Sequence, residues 1–182
     1  NGEWQKPAAV SLHERVLGVV GVGTIGSAVV RRAIAFGMKV MGNDTSDIPP
    51  AFVTETGIEM VSLEALLEHA DFISMNTTLN ATSFHLMSDD QFARMKPTAY
   101  LINTSRGPVI DEPALVKALQ GKKLAGAALD VFEDEPLPAD SPLRKMDNCL
   151  LAPHNSNSSP SAKVRVHENT VRNLLAALQS SD

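Results

Sequence analysis

Residues 16–36 read Val-Leu-Gly-Val-Val-Gly-Val-Gly-Thr-Ile-Gly-Ser-Ala-Val-Val-Arg-Arg-Ala-Ile-Ala-Phe, and the period of their apolar positions changes once. Val16–Val20 is a short apolar run ending in glycines, the pattern of a buried strand. Beyond it Ile25, Ala28, Val29, Ala33 and Phe36 recur at helical spacing, with Arg31 and Arg32 on the other side. Strand and helix are joined by Gly21-Val22-Gly23-Thr24-Ile25-Gly26, a GxGxxG turn. In such a turn the first glycine permits the tight bend, the second lets a diphosphate approach the backbone, and the third lets helix and strand pack closely. The free N–H groups and positive end of the helix then face the phosphates. The alternative is a bare turn with no ligand; the strand before the triplet and the helix after it favour a dinucleotide site.

Working outward, Gly37 stops the helix and residues 39–42 form a second apolar strand running into Asn43-Asp44. The same rhythm predicts strands at 58–61, 72–75, 99–103, 124–129 and 149–152. Helices are predicted from a Ser62 cap to His69, at 89–95, after an Asp111 cap with Pro113 in the first turn, and from Ser159-Pro160 to about Leu178. Residues 133–142 read as a surface loop. Strands apolar at nearly every position, each followed by a helix or loop, imply a doubly wound α/β fold with a parallel sheet covered on both faces. Ligands of such sheets bind outside the carboxyl ends of the strands.

The composition agrees with one nucleotide-binding domain over residues 1–182. Apolar residues make up 43% and charged residues 20%, enough for a globular core. Sixteen Lys and Arg against 21 Asp and Glu leave a net charge of −5, which disfavours a nucleic-acid partner. No apolar run reaches transmembrane length, and Glu3 and Lys6 stand where a signal-peptide core would lie, so no membrane partner is expected. The single cysteine, Cys149, excludes an internal disulfide and a multi-cysteine zinc site, and no metal is expected; a reducing, cytoplasmic location fits. The opening at Asn1-Gly2-Glu3-Trp4 without methionine is expected of an excised domain or a processed chain.

Candidate site residues collect at the predicted carboxyl edge. Asp44 lies where an acid accepts hydrogen bonds from adenosine ribose hydroxyls, which favours NAD over NADP because a 2′-phosphate would meet a carboxylate. Its alternative is to cap a turn, a role open to Asp47 as well. Arg106, between Ser105 and Gly107 after a buried strand, offers a planar fork for a carboxylate, against the alternative of a surface ion pair. His154 is the only one of five histidines placed at a strand end; His13, His69, His85 and His167 read as surface or packing residues. Its imidazole would pass a proton to a carbonyl oxygen as a hydride reaches the carbon. Glu135 would hold that imidazole and favour its charged form, unless Glu133, Asp134 and Glu135 are only a solvated charge run. Cys149 reads as a core residue with no partner base.

Taken together, residues 19–26, Asn-Thr-Ser-Arg-Gly-Pro-Val-Ile-Asp-Glu at 103–112, Ala-Leu-Asp-Val-Phe-Glu-Asp-Glu-Pro at 128–136 and Pro153-His154 closely resemble the D-isomer-specific 2-hydroxyacid dehydrogenases, specifically their Rossmann-fold nucleotide-binding domain. The resemblance runs from about Gly2 to Leu178. It implies an NAD-dependent oxidoreductase that moves a hydride between the cofactor and a small D-2-hydroxy or 2-oxo acid of the glyoxylate, hydroxypyruvate or phosphoglycerate type. Arg106 would bind the substrate carboxylate and polarise its carbonyl, and His154, supported by Glu135, would be the general acid/base. Asp130 would accept a hydrogen bond from the nicotinamide carboxamide. Cofactor contacts would come from Gly21, Gly23, Thr24, Ile25, Gly26, Asp44, Asn76, Thr77, Thr78, Thr104, Ser105, Arg106, Asp130, His154 and Ser156.

Two stretches depart from the family pattern. Asn76-Thr77-Thr78-Leu79-Asn80 replaces a frequent His-x-Pro-Leu-Thr, which bears on the adenine side, and Asn155-Ser156-Asn157-Ser158 replaces an Ile-Gly or Leu-Gly start beside the nicotinamide. The family's substrate-binding domain is absent from this chain, so the expectation is a fragment that binds NAD(H) but turns over poorly without half of its cleft. A homodimer is expected from the same resemblance. The competing readings are a dinucleotide-sensing, corepressor-like interaction module and a methyltransferase with a similar glycine loop.

Overall fold

The computed structural model describes residues 10–179; the readings made on Asn1, Gly2, Glu3, Trp4 and Lys6 lie outside them. The strands are β1 Val16–Val20, β2 Lys39–Asn43, β3 Glu59–Met60, β4 Phe72–Met75, β5 Tyr100–Asn103, β6 Gly126–Leu129 and β7 Cys149–Leu151. The helices are α1 Thr24–Ala35, α2 Pro50–Thr56, α3 Leu63–His69, α4 Asp89–Arg94, α5 Glu112–Gln120 and α6 Pro160–Gln179. The strands form one sheet in the order β3-β2-β1-β4-β5-β6-β7, every pairing parallel. Parallel neighbours need long crossovers, and the helices that make them cover both faces of the sheet.

Alternation along β1 shows the two faces. Val20 belongs to the larger core, with Leu66 and Leu67 of α3, Phe92 of α4 and Leu115 of α5. Leu17 and Val19 belong to the second, with Val30 of α1 and Phe52 of α2. A side chain at Gly18 would collide with Leu66, its Cβ falling 2.3 Å from the Leu66 Cδ2, so α3 sits directly against the strand.

Local chemistry sets the helix starts as expected. The Ser62 side chain accepts from the Ala65 N–H at 3.2 Å, and Asp111 accepts from the Ala114 N–H at 3.1 Å and from the Ser88 hydroxyl at 2.8 Å. Other boundaries differ. The third strand shrinks to two residues, and the sixth begins at Gly126 because Leu124, although buried, precedes the ladder. The fifth begins at Tyr100, since the Ala99 N–H turns back to the Lys96 carbonyl. Helix α2 was not expected: it buries only Phe52, too little to show a period, and its marks are Pro50 in the first turn and Gly57 at φ 65° after the last. Helix α6 buries none of its residues. Among the described residues no helix is long and apolar enough to cross a membrane.

The register brings the functional edge into line. Val20 pairs with Asn43 and Met75, Met75 with Asn103, Asn103 with Leu129, and Leu129 with Leu151. The residues that follow these strand ends, Asp44, Gly21, Asn76, Thr104 and Asp130, therefore form one row across the carboxyl edge. The order reverses between β1 and β4, the switch point at which such sheets bind ligands.

Candidate active site

The glycine turn sits at that switch point. Gly21 has φ 89°, and its N–H donates to the Asn43 carbonyl at 2.8 Å. A Cβ on Gly26 would lie 1.9 Å from the Gly21 carbonyl oxygen, so the third glycine is required for helix and turn to meet. Gly23 is different. Its φ of −69° suits any residue, and nothing lies within 4 Å of the position its Cβ would take. The fold does not require glycine there, and no side chain caps α1, so the helix end and a bare stretch of backbone face outward together. Thr24 and Ile25, both exposed, continue that surface.

On one flank Asp44 turns its carboxylate back onto the loop, accepting from the Val22 N–H at 2.7 Å and the Ser46 N–H at 2.8 Å. The turn-capping alternative is thus realised, while each oxygen keeps a lone pair for a further donor. Beside it lies a cavity of about 750 Å³ lined by Asp44, Ser46, Asp47, Ile48, Met60 and Val61, with no Lys or Arg in its wall. On the other side Asn76 donates to the Ser74 carbonyl at 3.0 Å, and the Thr77 hydroxyl is buried with no partner among the described residues. The Thr78 carbonyl accepts from Ser83 at 2.6 Å, which shapes the departing loop.

Past β5, the Asn103 side chain is fully buried: its oxygen accepts from the Ser105 N–H at 3.0 Å and hydroxyl at 2.7 Å, and its amide donates to the Arg106 carbonyl at 2.9 Å. Asn103 thereby folds the loop that presents Thr104, Ser105 and an exposed Arg106 guanidinium, which donates to the Ser105 carbonyl at 2.7 Å. A Cβ on Gly107 would fall 1.7 Å from the Phe132 carbonyl oxygen, so this loop lies against the segment that carries Glu135.

His154 and Glu135 lie in contact. His154 Nδ1 lies 2.7 Å from Glu135 Oε2, and Glu135 Oε1 accepts from the Phe132 N–H at 3.0 Å. That bond from His154 holds the Glu135 carboxyl below its usual range against a smaller opposing push from burial, helped by the Phe132 N–H and the nearby charges of His154 and Arg106. Arg106, Glu135 and His154 are therefore on one flank of the sheet edge. His154 has φ 51°, a left-handed conformation uncommon outside glycine and recurrent at functional sites. An apolar cavity of about 610 Å³ opens beside the pair, lined among others by Phe132, Leu137, Leu151 and Pro153.

Asp130, 5% exposed, accepts from the Asn155 N–H at 2.9 Å and the Ser156 N–H at 3.0 Å. Burial pushes its carboxyl up, but these N–H groups, the Ser156 side chain and the nearby His154 more than offset it and leave the carboxyl below its ordinary range. Ser156 thus enters the site first as a partner of Asp130. A carboxyl lowered on folding adds stability that is complete above its unfolded pKa and is lost as pH falls through the folded one. Thermal unfolding is expected to hold a steady midpoint from neutrality down to about pH 4, then to drop, and Asp130→Asn should flatten that acid limb. An unchanged limb in Asp130→Asn would remove Asp130 from this account.

His85, expected as a surface or packing residue, stacks its ring on Phe84 with centroids 4.0 Å apart and also places Nε2 2.7 Å from Glu133 Oε1. No local pattern announces a pairing between residues so distant in the chain. Cys149 packs at the edge of the core, and burial pushes its thiol up to about 11, unsuited to a nucleophile. Among the described residues no cluster of His, Cys, Asp or Glu could hold a metal ion.

Comparison with known proteins agrees with this geometry. Residues 1–156 match the family model described as D-isomer specific 2-hydroxyacid dehydrogenase, NAD binding domain. A glyoxylate reductase of Korarchaeum cryptofilum is 47% identical over 165 residues, covering 91% of this chain and 49% of that protein. The crystal structure of a glyoxylate reductase from Paecilomyes thermophila superposes with a TM-score of 0.89 at 32% identity, over 98% of this chain and 53% of that one. The NAD-complexed D-isomer specific 2-hydroxyacid dehydrogenase of Lactobacillus delbrueckii ssp. bulgaricus gives 0.85 at 28% identity, over 98% of this chain and 58% of that one. The chain spans about half the length of these relatives.

Proposed function

The chain belongs to the D-isomer specific 2-hydroxyacid dehydrogenase family, whose NAD-binding domain it matches, and we propose that it is the cofactor-binding half of an enzyme that interconverts small D-2-hydroxy and 2-oxo acids. The observation that carries this reading is Gly23, a glycine that neither packing nor backbone angle requires, at an uncapped helix end. Those features fit a diphosphate, and the buried, unpartnered Thr77 hydroxyl fits a further polar contact nearby. Gly21, Gly23, Thr24, Ile25 and Gly26 would hold the diphosphate, Asp44 the adenosine ribose, and residues 76–78 and 104–106 the rest of the molecule along the row. A bound nicotinamide would exchange a hydride with the 2-carbon of the acid.

The protein's own groups do the remainder. Arg106 binds the substrate carboxylate through two parallel bonds and draws charge from the adjacent carbonyl. His154, steered at Nδ1 by Glu135, presents Nε2 to the 2-oxygen and gives it a proton during reduction, or removes one during oxidation. Asp130 fixes the loop after His154 and retains lone pairs for the carboxamide. Substrates of the glyoxylate, hydroxypyruvate or phosphoglycerate type, a cytoplasmic location and a homodimer complete the proposal; sedimentation tests the last. No observation on the molecule favours the interaction-module or methyltransferase readings.

Calorimetric titration of the chain with NADH and NADPH tests the cofactor assignment. NADH should bind, NADPH at least about tenfold more weakly, and Asp44→Ala should narrow that gap. Equal affinity for the two in the unmodified chain would remove the role given to Asp44, and no binding of either would remove the reading. With half of its relatives' length, the chain alone should bind NADH without turning over glyoxylate at enzyme rates.

A further inference from the structure

We propose that His85, acting through Glu133, is a positioning residue for the Glu135–His154 pair, an inference that rests on the acid–base reading above. Two histidines grip one short acidic segment. Glu135 is held by His154 and by the Phe132 N–H. Glu133, two residues earlier, is held by His85 at 2.7 Å and by the Glu112 N–H at 3.1 Å, while its own N–H donates to Glu112 Oε2 at 3.3 Å. Both histidines have left-handed backbones, φ 49° at His85 and 51° at His154, a conformation that persists only where the surroundings impose it. His85 is imposed from three sides: the Phe84 ring stacks on it, its N–H donates to the Pro108 carbonyl at 2.8 Å, and Glu133 takes Nε2.

The charges around this grip explain why a donor is needed. Facing His85 are Glu133 and, with Oδ2 3.9 Å from Nδ1, Asp111, itself bonded to Ser88. Behind Glu133 stands Glu112, whose carboxyl is pushed up chiefly by burial, with the Glu133 N–H drawing it down and the smaller pushes of the Glu133 and Asp134 charges raising it again. Without the His85 donor, Glu133 would meet this acidic neighbourhood with one backbone N–H for support. The segment from Phe132 to Glu135 would then shift to relieve the repulsion. A shift of a few tenths of an ångström stretches the bond to His154, which stands outside the segment, while the Phe132 N–H travels with the Glu135 carboxylate.

Two variants separate the bond from the ring. His85→Phe keeps a flat ring for Phe84 and loses the donor; His85→Gln keeps a donor. On chain labelled at the Glu135 carboxyl carbon and the His154 ring nitrogens, His85→Phe should raise the Glu135 titration midpoint by about half a unit or more and speed water exchange of the His154 Nδ1 proton. His85→Gln should restore both signals. If His85→Phe does not fold, His85→Asn, which tolerates the left-handed backbone but is too short to reach Glu133, should give the same two changes. Unchanged signals in either folded variant, or failure of His85→Gln to restore them, overturns the proposal. NADH titration of the same samples distinguishes the two readings: an unmodified chain that fails to bind NADH yet shows the His85 effect keeps the positioning role and loses the cofactor assignment.

Discussion

Gly23→Ala should leave the chain folded, with a melting temperature within about 2 °C of the original, while NADH affinity falls about 100-fold, a loss near 2.7 kcal/mol. Gly26→Ala, three residues away, should instead lower the melting temperature by about 5–10 °C and abolish binding with it. Their surroundings differ completely. The new Cβ at Gly26 would stand 1.9 Å from the Gly21 carbonyl oxygen, which is backbone and cannot rotate aside, so α1 must move off β1. Alanine gains about 1 kcal/mol of helix propensity over glycine, which is too little to offset an overpacking cost of about 1–3 kcal/mol or more. At Gly23 the Cβ meets nothing within 4 Å and the backbone already suits alanine, so the only thing it can obstruct is a ligand. If Gly23→Ala binds NADH as tightly as the unmodified chain, the diphosphate does not lie across this turn.

The parts of this molecule that were legible in advance are those written in consecutive residues. The change of period at Gly21, the Ser62 and Asp111 caps and the Pro113 turn are local, and the chain folds there as its own chemistry dictates. The row of strand ends followed from them, because buried parallel strands place their carboxyl ends together. Helix α2 was not legible because seven residues that bury only Phe52 present no repeat. The missed parts of the site are tertiary. That Asn103 would fold the Arg106 loop, that Asp130 would tie down residues 155 and 156, and that His85 would reach Glu133 depends on how separate crossovers approach one another. Spacing alone could not have revealed those approaches. The loop that carries Glu135 offers it as the partner of His154; the resemblance to a family adds Asp130 and leaves open what holds it.

In any protein that contains this chain and carries the proposed activity, His154→Gln should lower kcat for reduction of a short 2-oxo acid by about 10²- to 10⁴-fold, with NADH affinity changed by less than about threefold. Glutamine fills similar space and can still bond Glu135, but it has no proton to give at the pH of the assay. Glu135→Gln should cost less, because its amide oxygen can still accept from His154 Nδ1; what is lost is the charge that favours the imidazolium and the second acceptor, since the NH2 would face the Phe132 N–H. Arg106→Lys should act chiefly on KM, since a point charge replaces the two-pronged hold on a carboxylate. The three outcomes discriminate between roles: an equal fall in kcat for all three would mean that the cluster merely maintains the fold. A His154→Gln enzyme of near-normal kcat would place the proton donor elsewhere.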